Sequence, residues 1–358
     1  MNLDPLHLDH VGPGQPSASW LQGRPKDAGS TLLCIHSFWR ASSTFFWQKL
    51  SGRRGLFAFY EPFHEELNAR APQLPSVAAD AWRRQSNHPP VADYWQAYRN
   101  AEIRPCFLGQ QYYGEFNTEN YFLFSESKKR QISCLIDNAL EHGASQVALC
   151  FTRSLGCGPA MRRYLSTIYP SLGQCHVILR RDPLAQFSSA LRLLDGGNAI
   201  FIAYYLIAIA FSRPELFGYL GIDCGRIAST ASFERGGHET MLLFRDLDGM
   251  GLLGQARIVG SALRAFLCCT MLQLSSENGH HDIWLDVSAS RLAAGELDRL
   301  NAALGFVPDF QDFRVSDRPF IDQDLFRKTC RESHRVLIES GLIQDGQGMI
   351  NHYYRDYL

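Results

Sequence analysis

The sequence predicts an α/β fold of three layers, with a central parallel sheet flanked by helices and a helical C-terminal part. Three observations carry this expectation. Short apolar runs of strand length recur at 31–37 (TLLCIHS), 56–60 (LFAFY), 146–151 (QVALCF) and 174–179 (QCHVIL). Runs without polar alternation suit strands covered on both faces, as in parallel sheets. Most of these runs lead into a segment with helical starting chemistry, and strand–helix alternation is the pattern of a parallel sheet. Beyond residue 198 the pattern turns mainly helical.

Residues 1–29 are rich in Pro, Gly, Ser and Asp and read as a loose N-terminal lead-in. The run 31–37 follows as the first strand. Trp39 to Leu50 then carries hydroxyl residues at a helix start, with an apolar face behind them. Gly52 and Gly55 punctuate its end, and 56–60 is the second strand. Residues 63–145 form an insert broken by Pro72, Pro75, Pro89, Pro90 and Pro105, with helical stretches at Val91–Ile103 and Ser127–Glu141. After the strand at 146–151 come a helix at 158–168, the strand 174–179 and a helix from Pro183 to about Leu194. Further strands are expected at Met241–Phe244 and Ile283–Asp286. Residues 30–358 are read as one domain. Its strand C-termini line one edge, where ligands bind in such folds.

The formal net charge of −1 leaves no global basic field to recruit nucleic acid, so any anion site is local. The longest apolar stretch, Ala199–Phe211, is too short to span a bilayer and reads as a buried helix. No integral membrane segment is therefore expected. The N-terminus lacks the basic and apolar sequence of a secretory signal. Ten cysteines include no CxxC pair, and most sit in apolar runs, which suits small buried hydrophobes in a reducing compartment. A cytoplasmic location is the expectation. His280-His281-Asp282 and His238-Glu239 form no complete metal-ligand set, so no metal is expected.

Arg40-Ala41-Ser42-Ser43-Thr44-Phe45-Phe46 follows the first strand. The free N–H groups of a helix beginning near Ser43, with the positive end of its dipole, suit an anion. Ser42, Ser43 and Thr44 add hydroxyls, and Arg40 adds a planar fork of donors. The alternative is a plain helix cap at Ser42 or Ser43 beside a solvated Arg40. In the second element, Asp182 is placed to cap a helix that Pro183 opens, and Ser189 stands eight residues after Arg181. Arg181 at the strand end and Ser189 on the helix are spaced to clamp one anion. The alternative is an ordinary strand-to-helix turn.

Both segments resemble sulfotransferases that use the donor PAPS (3′-phosphoadenosine 5′-phosphosulfate). Their 5′-phosphosulfate loop follows the first strand with a pattern such as R-S-G-S-[ST]-F-L. Arg40, Ser43, Thr44 and Phe45 match it, and Ala41-Ser42 stand where the pattern has Ser-Gly. Their 3′-phosphate motif runs R-[DN]-P, with a Ser eight residues after the Arg, and Arg181-Asp182-Pro183 with Ser189 matches. The resemblance implies a P-loop-like nucleotide-binding core, with PAP (3′-phosphoadenosine 5′-phosphate) as the product. It further implies contacts of Arg40 with the sulfuryl group and 5′-phosphate, of Ser43 and Thr44 with the 5′-phosphate, and of Arg181 and Ser189 with the 3′-phosphate. A small-molecule or glycan acceptor is the implied partner.

An acceptor hydroxyl benefits from a general base. Glu61, after the second strand, is the first candidate because a similar E-P segment occurs in bacterial and carbohydrate sulfotransferases. His64 is second and His36 third, since an imidazole titrates near neutrality. Arg153 and Ser154 fall at the same sheet edge and rank below the two loops. Two rival readings stay open. One is a non-catalytic nucleotide-binding relative. The other is a nucleotide-dependent phosphotransferase, against which the missing G-x-x-x-x-G-K-[ST] pattern counts.

Overall fold

The computed structural model describes residues 30–63, 96–99, 122–195, 205, 213–221, 257–277, 282–287, 294–306 and 321–358. The lead-in, His64, most of the insert, the run at 199–211 apart from Tyr205, and the expected strand at 241–244 lie outside them.

Five strands form one sheet: β1 (Thr31–Ser37), β2 (Leu56–Tyr60), β3 (Gln146–Phe151), β4 (Gly173–Arg180) and β5 (Ile283–Asp286). Their order is β2-β3-β1-β4-β5, and every pairing is parallel. β1 is central, bonded to β3 on one side and β4 on the other, and its residues from Leu32 to Ser37 are buried. That burial explains why its sequence shows no polar alternation.

Helices cover both faces. In chain order they are α1 (Ser43–Leu50), α2 (Glu126–Glu141), α3 (Gly158–Ile168), α4 (Pro183–Asp195), α5 (Phe217–Leu220), α6 (Arg257–Glu277), α7 (Ala294–Leu304), α8 (Gln323–Glu339) and α9 (Gly348–Tyr353). One apolar cluster joins the sheet to α1, α2, α3 and α7. A second centres on α6, whose apolar residues from Ala262 to Leu274 are buried, with α4, α5, α8 and α9 around it. The ends of the helices follow local rules. Ser125 accepts from the backbone N–H of Lys128 at the start of α2, and Asp322 from that of Leu325 at the start of α8.

The topology fixes where a ligand can sit. The chain leaves β1 toward β2 on one side of the sheet, and leaves β4 toward β5 on the other. Loops that diverge from adjacent strands open a crevice at the strand C-termini, the general ligand position in open α/β sheets. Here that crevice lies between β1 and β4, where the two sequence motifs begin.

Seven described cysteines are free and buried, and Cys134 is disulfide-bonded. That bond departs from the all-thiol chemistry of a reducing compartment. No described helix is long and apolar enough to cross a membrane.

Candidate functional site

The β1–α1 turn bends sharply. Arg40 and Ser42 both adopt left-handed backbone conformations, with φ of 66° and 65°. Such values are uncommon outside Gly, Asn and Asp. Ser42 stands where the sulfotransferase pattern has Gly, and it takes the conformation that Gly adopts freely. The Ser42 side chain makes no capping bond to α1, so its hydroxyl is not spent on an ordinary helix cap. Ser43 and Thr44 are buried in the first turn. Thr44 Oγ1 lies 2.7 Å from the Tyr60 hydroxyl, tying α1 to the end of β2. Phe45 is half-buried and meets Phe46 edge-on.

The second turn interlocks with the first. Arg181 Nη1 donates to the carbonyl oxygen of Arg40 at 2.9 Å, and Arg40 Nε donates to Ser189 Oγ at 3.0 Å. Gln186 Nε2, one turn into α4, donates to the carbonyl of Trp39 at 2.6 Å. Asp182 Oδ1 accepts from the N–H of Ala185 at 2.7 Å, the cap expected from the sequence. Arg40, Arg181 and Ser189 thus meet across the β1/β4 crevice. Burial, and next the Arg181 guanidinium, lower the pKa of Arg40 to about 10, with Arg192 adding to the effect and Tyr60 opposing it. A crevice that disfavours its own cations attracts an anion.

Glu61 closes β2 in a third left-handed conformation, φ 51°, with its N–H bonded to the carbonyl of Cys150 at 2.7 Å. Its carboxylate is 3% exposed and pairs with Arg153 Nη1 at 2.8 Å. Burial raises the Glu61 pKa, while Arg153 and Thr152 pull it back. The Arg153 guanidinium also lies 5.2 Å from the Trp39 ring. Arg153, ranked low from sequence, therefore binds the first base candidate and touches the Arg40 turn.

His36, the third base candidate, points into the sheet core. Its Nδ1 lies 2.7 Å from Ser154 Oγ and its Nε2 lies 3.1 Å from His176 Nδ1, and all three residues are buried. The imidazoles of His36 and His176 stack at 5.3 Å, and the His176 backbone N–H donates to Asp282 Oδ2. Such placement suits support of the β3 loop more than contact with a ligand. His64 lies outside the described residues.

Several contacts around the two turns are set by no motif. Tyr357 donates to Asp182 Oδ2 at 2.6 Å and Tyr353 to Gln186 Oε1 at 2.5 Å, so the segment after Asp345 docks on the Arg181 turn. Glu277, at the end of α6, accepts through Oε1 from the N–H groups of Gly156 at 2.7 Å and Gly158 at 3.2 Å. It fills the N-terminus of α3, and burial lifts its pKa to about 7 against these two bonds. A Cβ on Gly158 would crowd the Glu277 carboxylate, so any larger residue there forces that side chain to shift. The only sequence signals for these contacts are polar residues inside apolar helix faces, and they name no partner. Among the described residues no group of three metal ligands assembles.

The chain matches no family model, no curated protein and no solved structure.

Proposed function

We propose that the chain is a sulfotransferase moving a sulfuryl group from PAPS to a hydroxyl of a carbohydrate, glycolipid or small metabolite. The observation that supports this reading best is the meeting of Arg40, Arg181 and Ser189 at the β1/β4 crevice. Two turns that match the two phosphate motifs of one enzyme family share a rim there. The residues present fit the nucleotide. Guanidinium forks and a helix N-terminus are the donor chemistry that phosphate and phosphosulfate oxygens accept.

In this reading Arg181 and Ser189 hold the 3′-phosphate, while Arg40, Ser43 and Thr44, with the backbone N–H groups from Ser42 to Phe45, hold the 5′-phosphosulfate. The donor supplies an activated sulfuryl group, and transfer forms one S–O bond to the acceptor as the S–O bond to PAP breaks. Arg40 stabilises charge on the leaving phosphate, the positioning and electrostatic work that such transfers require. Glu61 takes the acceptor proton, and burial keeps its carboxyl basic enough to do so. Arg153 holds that carboxylate in place. His64 is the reserve base.

A second reading, a non-catalytic nucleotide-binding relative, is favoured by one contact. The Glu61–Arg153 pair engages the carboxylate that the reaction would use. The proposed cytoplasmic location rests on the buried free thiols, and the disulfide at Cys134 is the counter-observation. Thiol trapping in cells decides between them.

The test is transfer of radiolabelled sulfate from PAPS to a panel of hydroxyl acceptors, together with the melting temperature in PAP. PAP at a hundred times its dissociation constant stabilises the native state by about 2.7 kcal/mol. Stabilisation with transfer supports the enzyme, and stabilisation without transfer to any acceptor supports the binding relative. No stabilisation, with ATP turnover in Mg²⁺, returns the phosphotransferase reading.

A further inference from the structure

We propose that Arg180, His352 and Arg355 form a second binding site, separate from the Arg40–Arg181 crevice, which takes one tetrahedral oxyanion, a sulfate or phosphate group. Arg180 is the last residue of β4. Successive strand residues point to opposite faces. Arg181 reaches Arg40, whereas Arg180 turns toward α9 and β5. Its residue is 9% exposed, and among the described residues its Nε is buried without an acceptor. A guanidinium offers five N–H donors and accepts nothing. Among the described residues the contacts of this one are a 3.5 Å approach of Nη1 to His352 Nε2 and the Tyr353 ring at 6.0 Å. A buried cation served so thinly is costly unless a counter-charge joins it.

His352 sharpens the point. Its other nitrogen, Nδ1, lies 2.9 Å from Arg355 Nη2. A neutral imidazole has one accepting nitrogen, and both guanidinium groups only donate. One of the two contacts must therefore set N–H against N–H. An oxyanion resolves this conflict, because its oxygens accept from Arg180, Arg355 and the imidazole together. Burial, then Arg180 and Arg355, lower the His352 pKa, and Asp286, opposite Arg180 in the β4–β5 register, opposes them; even with His352 neutral, two guanidinium charges face one carboxylate and the cluster stays positive. Trp284 packs edge-on against His352 at 4.9 Å and forms one wall. The site adjoins the first through Tyr353, whose hydroxyl bonds Gln186, which in turn holds the Trp39 carbonyl.

The test uses the full chain with ¹⁵N-labelled histidine. Inorganic sulfate and inorganic phosphate are titrated at constant ionic strength against a chloride control, with and without saturating PAP. The His352 ring signals are identified by their loss in His352→Gln. We expect them to shift saturably, with a dissociation constant on the order of 1 mM. Arg355→Met, at an exposed position that leaves the fold intact, weakens this response by about fivefold or more, the scale of a lost charge-assisted bond. Arg180→Met abolishes the response, and Arg181→Ala leaves it in place. Methyl sulfate and methyl phosphate separate the sources. Tighter binding than the free ions assigns the site to a group on a larger ligand, and weaker binding assigns it to the free ion. Signals that move no further than in chloride, or that move equally in Arg355→Met, overturn the proposal. The outcome is independent of the PAPS reading, because PAP binding is scored separately in the same samples.

Discussion

The carbonyl oxygen of Arg40 accepts a hydrogen bond from Arg181 Nη1 at 2.9 Å across 141 residues of sequence. The contact fixes two turns of separate βα units into one rim. Arg181→Ala removes both this bond and the proposed grip on the 3′-phosphate. We expect PAP affinity to fall by at least about tenfold, equivalent to about 1.4 kcal/mol. Titration calorimetry reads the loss, and Glu61→Ala serves as the comparison that keeps affinity within about threefold.

Ser42 holds φ at 65° without a capping bond from its side chain. A left-handed conformation costs a non-glycine residue about 1–2 kcal/mol, and the greater freedom of unfolded glycine offsets roughly half of a gain. Ser42→Gly should therefore raise stability by about 0.5–1 kcal/mol and leave PAP binding intact or stronger. Ser42→Val should lower it. The midpoint of urea unfolding decides, and a Ser42→Gly protein that unfolds earlier removes the strain argument.

Glu61 and Arg153 form a buried pair at 2.8 Å, so removing one partner is worse than removing both. Arg153→Met should destabilise by about 3 kcal/mol, and the double variant Glu61→Gln with Arg153→Met by clearly less. Under the proposed function, Glu61→Gln lowers turnover by about a hundredfold or more while PAP binding holds. An unchanged rate in Glu61→Gln would transfer the base role to another group.

Glu277 has its folded-state pKa raised from 4.5 to about 7, chiefly by burial. The native state then binds more protons than the unfolded chain between these values. Its contribution is fully present below about pH 4.5 and is lost as pH rises through 7, a change on the order of 3 kcal/mol. Glu277→Gln keeps the accepting oxygen for Gly156 and Gly158 but cannot ionise. Stability of wild type minus variant should fall between pH 5 and 7.5 by roughly that amount, as chemical denaturation at stepped pH can measure.

Tyr357 donates to Asp182 at 2.6 Å, and Asp182 caps α4 beside Arg181. Tyr357→Phe keeps the ring against Phe326 and deletes one charge-assisted bond, at a cost of about 1.5–3 kcal/mol. Thermal unfolding checks the loss. A melting point unchanged by Tyr357→Phe would show that the docked segment contributes nothing through this contact.

The sheet was legible because each strand is an uninterrupted apolar run bounded by breakers. The expected spans of β1, β2, β3 and β5 coincide with those observed, and β4 extends one residue at each end of 174–179. The helix at 158–168 also coincides, since Gly158-Pro159 marks its start. The convergence of Arg40 with Arg181 was legible through two motifs at the ends of strands. What stayed hidden depends on partners far apart in sequence. Nothing in the chain order tells Glu61 to meet Arg153, His36 to meet Ser154 and His176, or Glu277 to meet Gly156. Sheet order decides those meetings, and β3 lies between β2 and β1 only once the crossovers have formed.

That sheet order has a kinetic consequence. β1 must wait for β3 and β4 to be synthesised and aligned before its own turn acquires neighbours. Contacts of such sequence separation form late and slowly relative to local ones. No excised fragment carrying either turn alone can reproduce the pocket. Occupancy by a nucleotide during refolding would act as a clock, marking when the central three strands have finally zipped together.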